Sequence, residues 1–245
     1  MKPFLILQLR PLNEASDNEF EAFLKYGELK VDEVHRVRME QQSIPEINLD
    51  DYSGIILGGG PSNISDSKEE KENYQKQFEA DLNKLLDRIF KEDFPFLGVC
   101  YGIGALNYHQ GGKVSKEKFS EDVGAVEIEL TESGRKDELL SGLPSKFEAY
   151  VGHKEACLTI PENAKLLARS STCPFQMIKF KQHIYATQFH TELDETGILL
   201  RIKVYKHHGY FSPVDAQMLI EKAKEFHVEY PSLILNNFVK KYRRK

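Results

Sequence analysis

A cysteine flanked by two glycines carries the clearest chemical signal in the sequence. The segment Gly98-Val99-Cys100-Tyr101-Gly102 ends the short apolar run FPFLGVC and precedes a helical pattern. A nucleophile at such a strand-to-helix turn is presented at the carboxyl edge of a sheet, in the arrangement called a nucleophile elbow. The N-terminus of the following helix favours a thiolate, and its first backbone N–H groups can stabilise an oxyanion. The motif predicts a nucleophilic thiol, although a buried structural cysteine would also fit it.

A histidine and a carboxylate two residues apart supply the partners that a thiolate needs. His190 and Glu192 follow the apolar run IYATQF, so we expect them near a strand end, with the carboxylate in reach of a ring N–H. Such an imidazole holds the thiolate in an ion pair and protonates the leaving group, while the carboxylate orients the ring. His153, in the segment VGHKE, is a competing candidate for the base.

Three consecutive glycines, in the segment LGGGPS (57–62), follow the buried-strand pattern IIL. Consecutive glycines leave backbone N–H groups free to point into a concave site, which suits an oxyanion or a phosphate. The segment lacks both the GK[ST] ending and the G-x-G-x-x-G spacing of nucleotide-binding loops. Three interpretations of this segment remain open: an oxyanion loop, a tight turn, and the phosphate loop of a flavodoxin-like cofactor carrier.

Short apolar runs that alternate with helical patterns must position these motifs. FLILQL, SGIILGGG and FPFLGVC are typical of buried strands, and the segments between them are typical of helices. After Gly112 the runs AVEIEL, FEAYVG, FQMIKF and IYATQF have strand-like patterns. The sequence therefore predicts an α/β fold with a mostly parallel central sheet, helices on both faces and a small antiparallel extension.

Length and composition favour one globular domain. The chain has 245 residues, of which 40% are hydrophobic, and a formal net charge of -5. We expect a single domain over 1–245, with its core at about 1–200 and a C-terminal helical segment at about 212–245. The net acidity argues against a nucleic-acid binder, and the absence of any apolar run of about 18 residues argues against a membrane span. The N-terminal segment MKPFLILQLRPLNE has only a short apolar stretch before charge returns, which argues against a signal peptide. Three cysteines without a CxxC pair are typical of the cytoplasm.

Along the chain the motifs come in the order glycine loop, cysteine turn and His190–Glu192 pair. In this order they resemble the signatures of the class I (triad-type) glutamine amidotransferase family. The resemblance is greatest to the glutaminase domain of GMP synthase and its stand-alone relatives. It implies a flavodoxin-like fold in which Cys100 attacks the side-chain amide of glutamine, His190 protonates the departing ammonia and Glu192 orients His190. The backbone N–H groups of Gly59 and Tyr101 would hold the oxyanion. No metal and no organic cofactor is implied.

The resemblance covers roughly residues 45–195 and also implies where substrate would bind. Gly60 belongs to the glycine loop, and Gly104 lies in the helix after the cysteine. His153 lies in a segment similar to the family's SH-x-D-like motif, and Gln176 in a strand segment before the histidine motif. We expect these four residues to lie near a small-molecule substrate.

Two positions depart from the family pattern. Gly104 stands where the family's C-x-G-x-Q motif has a substrate-binding glutamine, and Thr191 replaces the proline of the His-Pro-Glu motif. The segment after His190 is too short for a synthase domain, so we expect any ammonia acceptor to be a separate subunit. Free glutamine and γ-glutamyl peptides or conjugates are the two candidate substrates, and a non-catalytic regulatory or binding module is the alternative to an enzyme. The segment HHGYFSPVDAQ is a candidate lid, interface or helix entry.

Overall fold

The computed structural model describes residues 1–208 and 211–245. Gly209 and Tyr210, in the candidate lid segment HHGYFSPVDAQ, lie outside the described residues. The strands are β1 (Phe4–Gln8), β2 (Val34–Arg38), β3 (Gly54–Leu57), β4 (Phe96–Val99), β5 (Lys113–Ser115), β6 (Glu121–Leu130), β7 (Lys146–His153), β8 (Ala156–Thr159), β9 (Ala164–Arg169), β10 (Met177–Phe180) and β11 (Ile184–Thr187). The helices are α1 (Asn13–Gly27), α2 (Asn73–Glu92), α3 (Tyr101–His109), α4 (Glu132–Arg135), α5 (Glu195–Tyr205), α6 (Ala216–Ala223) and α7 (Pro231–Tyr242).

A large sheet with the strand order β2-β1-β3-β4-β11-β10-β9-β6-β7 forms the centre of the molecule. Its first five strands pair in parallel. Strands β10, β9, β6 and β7 extend it in antiparallel fashion, and β5 pairs with β8 in a separate two-stranded sheet. The predicted α/β, flavodoxin-like fold class is confirmed, and the antiparallel extension contains four strands of the large sheet.

Side chains on the two faces of the parallel strands pack into two different hydrophobic clusters. In β1, Leu5 and Leu7 belong to one buried cluster, which includes Phe78 of α2. Phe4 and Ile6 point to the opposite face, into a cluster that includes apolar residues of α1 and α7. Successive side chains of a strand alternate between faces, so a strand that is apolar throughout requires helices on both sides. This arrangement explains the uninterrupted apolar run FLIL.

Two helices differ from the sequence patterns. The segment DNEFEAFLKYG predicts a helix that begins near Asp17 and is stopped by Gly27. Helix α1 instead begins at Asn13, and the left-handed residue that ends it is Glu28 (φ 50°). A Cβ at Gly27 would lie 3.0 Å from the Leu29 side chain, so close packing is what this glycine permits. Helix α5 was not predicted from the sequence. Among the described residues, none of the helices is both long and apolar enough to cross a membrane.

The order of the central strands brings the three sequence motifs to one place. Strands β3, β4 and β11 are neighbours, and each runs directly towards one of the motifs, ending at Leu57, Val99 and Thr187 respectively. Because they are parallel, their carboxyl ends meet at the same edge of the sheet, where open α/β sheets bind their ligands.

Candidate active site

Cys100 occupies a strained turn between β4 and α3. Its backbone has φ 54° and ψ -93°, a region that residues other than glycine rarely adopt and that costs on the order of 1–3 kcal/mol. The Cys100 N–H donates to the carbonyl oxygen of Thr187 (2.7 Å), which ties the turn to the end of β11. A Cβ at Gly98 would lie 3.0 Å from the Gly102 backbone, whereas one at Gly102 would meet nothing closer than 3.6 Å. The close approach therefore constrains Gly98 more than Gly102.

His190 lies between the Cys100 thiol and the Glu192 carboxylate. Its Nδ1 donates to Glu192 Oε1 (2.7 Å), and its ring also hydrogen bonds to the thiol. Both residues lie in the loop after β11 and are buried, and the His190 backbone N–H donates to the carbonyl oxygen of Tyr150 (3.0 Å). The structure thus brings together the three residues predicted as a triad, in a loop that extends beyond the strand end.

Electrostatics favour a charged His190–Glu192 pair. Burial alone would lower the pKa of His190, but the Glu192 charge and hydrogen bonds to Glu192 and Cys100 raise it to about 9. Burial alone would raise the pKa of Glu192, but the His190 charge and hydrogen bond hold it below its ordinary value. The imidazolium form of His190 is therefore the form stabilised in the folded chain.

The glycine loop packs directly against this triad. A Cβ at Gly59 would lie 3.0 Å from His190 Cε1 and 3.2 Å from the Cys100 Cβ, so only glycine lets the loop approach this closely. Tyr101 is the first residue of α3, where backbone N–H groups have no partner within the helix. The two predicted oxyanion donors, Gly59 and Tyr101, therefore flank the thiol.

Two cavities meet at Cys100 and share Gly60, Cys100 and Gly152. The cavity that contains His190, here called the His190 cavity, is lined by Arg10, Gly60, Cys100, Val123, Val151, Gly152, His190, Leu193, Ile198, Arg201, Ile202, Tyr205 and Phe211. The other, here called the Gly104 cavity, is lined by Gly60, Ser62, Asn63, Cys100, Tyr101, Gly104, Val114, Gly152, His153, Lys154, Glu155, Ala156 and Gln188. The predicted substrate-binding residues Gly60, Gly104 and His153 all line the Gly104 cavity.

Glu155 occupies the wall of the Gly104 cavity next to Gly104. A Cβ at Gly104 would lie 3.5 Å from Glu155 Oε1, an ordinary contact. The carboxylate accepts hydrogen bonds from the backbone N–H groups of Ile64 (2.8 Å) and Ser65 (2.9 Å) and from the Ser65 hydroxyl (2.7 Å). Burial raises the pKa of Glu155, and these hydrogen bonds oppose that effect. Absence of a side chain at Gly104 thus leaves a buried carboxylate facing the cavity.

His153 and Gln176 belong to a buried hydrogen-bond network instead of facing Cys100. The two ring nitrogens of His153 hydrogen bond to Glu121 Oε2 (2.8 Å) and the Glu155 carbonyl oxygen (2.9 Å), so the ring has no nitrogen left to act as the base for Cys100. Gln176 Nε2 donates to Glu121 Oε2 (2.7 Å), and Gln176 lines neither cavity. Gln176 is fully buried and shares the Glu121 carboxylate with His153, so the structure does not place it against a substrate.

The same network includes side chains that could ligate a metal ion. Ligand atoms of Glu121, His153 and Cys173 lie within 4.8 Å of one another, and all three residues are buried. Glu121 also accepts hydrogen bonds from Thr172 and Gln176. Because the carboxylate and imidazole already satisfy one another, these hydrogen bonds account for the burial of both groups without a metal.

A group of buried charges beneath the glycine loop was missed in the sequence. Arg10 Nε donates to Glu19 Oε1 (2.6 Å), and Arg201 Nη1 lies 3.8 Å from the same oxygen. All three side chains are at least nine-tenths buried. Burial and the neighbouring Arg10 charge lower the pKa of Arg201 to about 10. A signal was present, since Arg10 lies two residues after the end of β1 and Arg201 interrupts the apolar run GILLRI.

Comparison with known proteins identifies the family of this chain. The model of the family described as glutamine amidotransferase class-I matches residues 16–198. The chain belongs to that family. A glutamine-hydrolyzing GMP synthase from Elusimicrobium minutum is 36% identical over 148 residues, which are 60% of this chain and 26% of that protein. One of the subunits of the glutamine-hydrolyzing GMP synthase from Pyrococcus abyssi is 34% identical over 154 residues, which are 62% of this chain and 73% of that subunit. The match thus spans about a quarter of the first of these relatives.

Solved structures of other amidotransferases share the fold. A glutamine amidotransferase from Thermotoga maritima superposes with a TM-score of 0.77 at 19% identity, covering 100% of both chains. A glutamine amidotransferase from Methylobacillus flagellatus superposes with a TM-score of 0.72 at 18% identity, covering 100% of this chain and 97% of that one. At this level of identity the likeness concerns the fold alone.

The two departures from the family pattern lie at different places in this amidotransferase. Gly104 lines a cavity next to the thiol. Thr191 is fully buried between the two charged members of the candidate triad, and its hydroxyl has no hydrogen-bond partner among the described residues. The first departure therefore changes a cavity wall, and the second leaves the His190–Glu192 hydrogen bond in place.

Proposed function

We propose that this amidotransferase hydrolyses the side-chain amide of glutamine through a γ-glutamyl thioester on Cys100, releasing glutamate and ammonia. The observation that carries the proposal is the His190 ring, which hydrogen bonds to the Cys100 thiol and to Glu192 Oε1 (2.7 Å). A thiol, an imidazole and an orienting carboxylate in this order are the parts that nucleophilic amide cleavage requires.

The reaction follows from the positions of these groups. The Cys100 thiolate adds to the γ-carbonyl carbon, and the backbone N–H groups of Gly59 and Tyr101 stabilise the oxyanion. His190 donates its proton to the amide nitrogen, so the carbon–nitrogen bond breaks and ammonia leaves. Water, deprotonated by His190, then adds to the thioester, and the carbon–sulfur bond breaks to give glutamate and the free thiol. Glu192 holds the ring in the required orientation throughout.

The Gly104 cavity suits the amino-acid end of glutamine. Its walls carry an ammonium group on Lys154 and the carboxylate of Glu155, which complement the charges of an α-carboxylate and an α-ammonium. The Pyrococcus abyssi relative is named as one of the subunits of GMP synthase, which supports an ammonia acceptor on a separate synthase chain here. A single domain over 1–245 stays a prediction.

Hydrolysis of a γ-glutamyl peptide or conjugate by the same triad is the second candidate. It is favoured by Gly104, which removes the side chain that the family uses to hold glutamine, and by a second cavity beside the acid His190. The strained backbone at Cys100 favours an enzyme over a non-catalytic binding module, because only a nucleophile requires this turn.

One assay tests both candidates. The purified chain is incubated with glutamine and with γ-glutamyl dipeptides, and glutamate release is measured for the parent chain and Cys100→Ser. We expect release by the parent and a loss of at least about a hundredfold in Cys100→Ser, because the weaker nucleophile must be deprotonated by a base tuned for a thiol. No release, or equal release by both chains, would refute an enzyme that acts through Cys100.

A further inference from the structure

The His190 cavity lies on the side of Cys100 where the leaving group must depart. His190, which delivers the proton to the departing nitrogen in the proposed function, lines this cavity and is not among the residues that line the Gly104 cavity. If the γ-glutamyl half of a substrate fills the Gly104 cavity, whatever is attached to the amide nitrogen projects into the His190 cavity. With glutamine, only two hydrogen atoms would enter it.

A buried arginine in this cavity has unmet hydrogen-bonding capacity. Arg201 is 6% exposed, and within the described ranges none of its three guanidinium nitrogens has a hydrogen-bond partner. Its nearest carboxylate, on Glu19, lies 3.8 Å away and already accepts from Arg10 Nε (2.6 Å) and Gln8 Nε2 (2.9 Å). A buried guanidinium without hydrogen bonds is costly, and its planar fork matches a carboxylate in a bidentate manner. The wall of the cavity therefore contains a guanidinium group whose hydrogen-bonding capacity is unmet.

Apart from Arg10, Tyr205 and the two triad members, most of the remaining wall is apolar. It consists largely of aliphatic and aromatic side chains contributed by β6, α5 and adjoining loops: Val123, Leu193, Ile198, Ile202 and Phe211. Ammonia would gain nothing from such a surface, whereas an aliphatic side chain would bury apolar area against it. The chemistry of the cavity thus matches a group that is apolar and carries one negative charge.

We propose that the His190 cavity binds the amine half of a γ-glutamyl amino acid, with the α-carboxylate of an apolar amino acid on Arg201. This rests on the proposed function, because it assigns the leaving group of the same thioester chemistry. Cys100 Sγ bonds to the γ-carbonyl carbon, the carbon–nitrogen bond breaks, and the proton from His190 turns the leaving nitrogen into the amino group of the released amino acid. Water then cleaves the thioester, so the products are glutamate and an apolar amino acid such as leucine.

Three substrates test the assignment. They are γ-glutamyl-leucine, γ-glutamyl-isoamylamide, which has the same aliphatic chain without the carboxylate, and glutamine. We expect kcat/KM for γ-glutamyl-leucine to exceed that for the isoamylamide by about tenfold or more, the range of a charge-assisted hydrogen bond. In Arg201→Met this ratio should fall to near one. Because both substrates use the same triad within each variant, any indirect effect of Arg201 on Glu192 cancels in the ratio.

Two further variants separate the proposal from a loss of folding. Lys203→Met, an exposed position on the same helix, should retain the parent ratio. Val123→Glu, at a half-buried wall position, adds a negative charge and should lower kcat/KM for γ-glutamyl-leucine more than for the isoamylamide. Thermal melting of each variant checks that it folds.

The outcomes are distinguishable from those of the proposed function. Turnover of glutamine alone, or a leucine-to-isoamylamide ratio near one in the parent chain, would overturn the leaving-group site while the proposed function stands. A ratio that survives in Arg201→Met would also overturn it. Failure to release glutamate from all three substrates would overturn the proposed function, and this inference with it.

Discussion

Neutralising Glu19 tests whether its carboxylate stabilises the two buried guanidinium groups, Arg10 and Arg201, beneath the glycine loop. Glu19 is fully buried and accepts hydrogen bonds from Arg10 and Gln8, with Arg201 3.8 Å away. Glu19→Gln preserves the size of the side chain but leaves two buried guanidinium groups without their shared counter-ion. Breaking a buried ion pair by removing one partner costs about 3–5 kcal/mol. We expect the free energy of unfolding to fall by that amount.

Urea denaturation gives the measurement, with two comparison variants. Glu21→Gln, at an exposed position of the same helix, should change the unfolding free energy by no more than about 0.5 kcal/mol. The double variant Glu19→Gln/Arg201→Met removes one of the two buried guanidinium groups that lack a counter-ion in Glu19→Gln. It should therefore be more stable than Glu19→Gln alone. A loss below about 1 kcal/mol in Glu19→Gln, or a double variant less stable than the single one, would refute the reasoning.

Three further predictions concern the thiol and its surroundings. Iodoacetamide should alkylate Cys100 at least about tenfold more slowly in His190→Gln than in the parent at neutral pH, because the thiolate loses its imidazolium partner; equal rates would contradict the ion pair. The raised pKa of His190 means that its contribution to the free energy of unfolding is complete below about pH 6.5 and lost as pH rises through about 9; denaturation curves between those values should show this loss in the parent and not in His190→Gln. Gly98→Ala should destabilise the fold by about 1–3 kcal/mol, because its Cβ would lie 3.0 Å from backbone atoms. A Cβ at Gly104 would lie no closer than 3.5 Å to any atom of the described residues outside the neighbouring backbone of α3, so Gly104→Ala should stabilise α3 by about 0.5–1 kcal/mol. Similar melting temperatures for the two variants would contradict the packing argument.

The parts of the site that the sequence predicted are those encoded in short local patterns. Cys100, the glycine loop and the His190–Glu192 pair each directly follow an apolar run, and parallel strands bring their carboxyl ends to one edge. The same reasoning favoured His190 as the base and left His153 as a competitor. That choice depends on Glu121, which is far from His153 in sequence and engages its ring.

The parts that were missed depend on contacts between distant segments. Arg10, Glu19 and Arg201 come from a strand end and two different helices, and charged residues on helices are expected at the surface unless their partners are known. Helix α5 has no strongly amphipathic pattern because part of it lines a cavity and part packs on α6. A local sequence pattern cannot predict either the buried charge cluster or the contacts of α5, because both depend on residues far apart in the chain.

Trapping the covalent intermediate tests the central claim most directly. The chain is mixed with glutamine, quenched in acid and digested, and the peptide containing Cys100 is examined by mass spectrometry. We predict a mass increase equal to one γ-glutamyl group on Cys100, absent in Cys100→Ser and absent from the peptides containing Cys157 and Cys173. Glutamate release with no modification of Cys100, or with the modification on another residue, would contradict a thioester mechanism at this site.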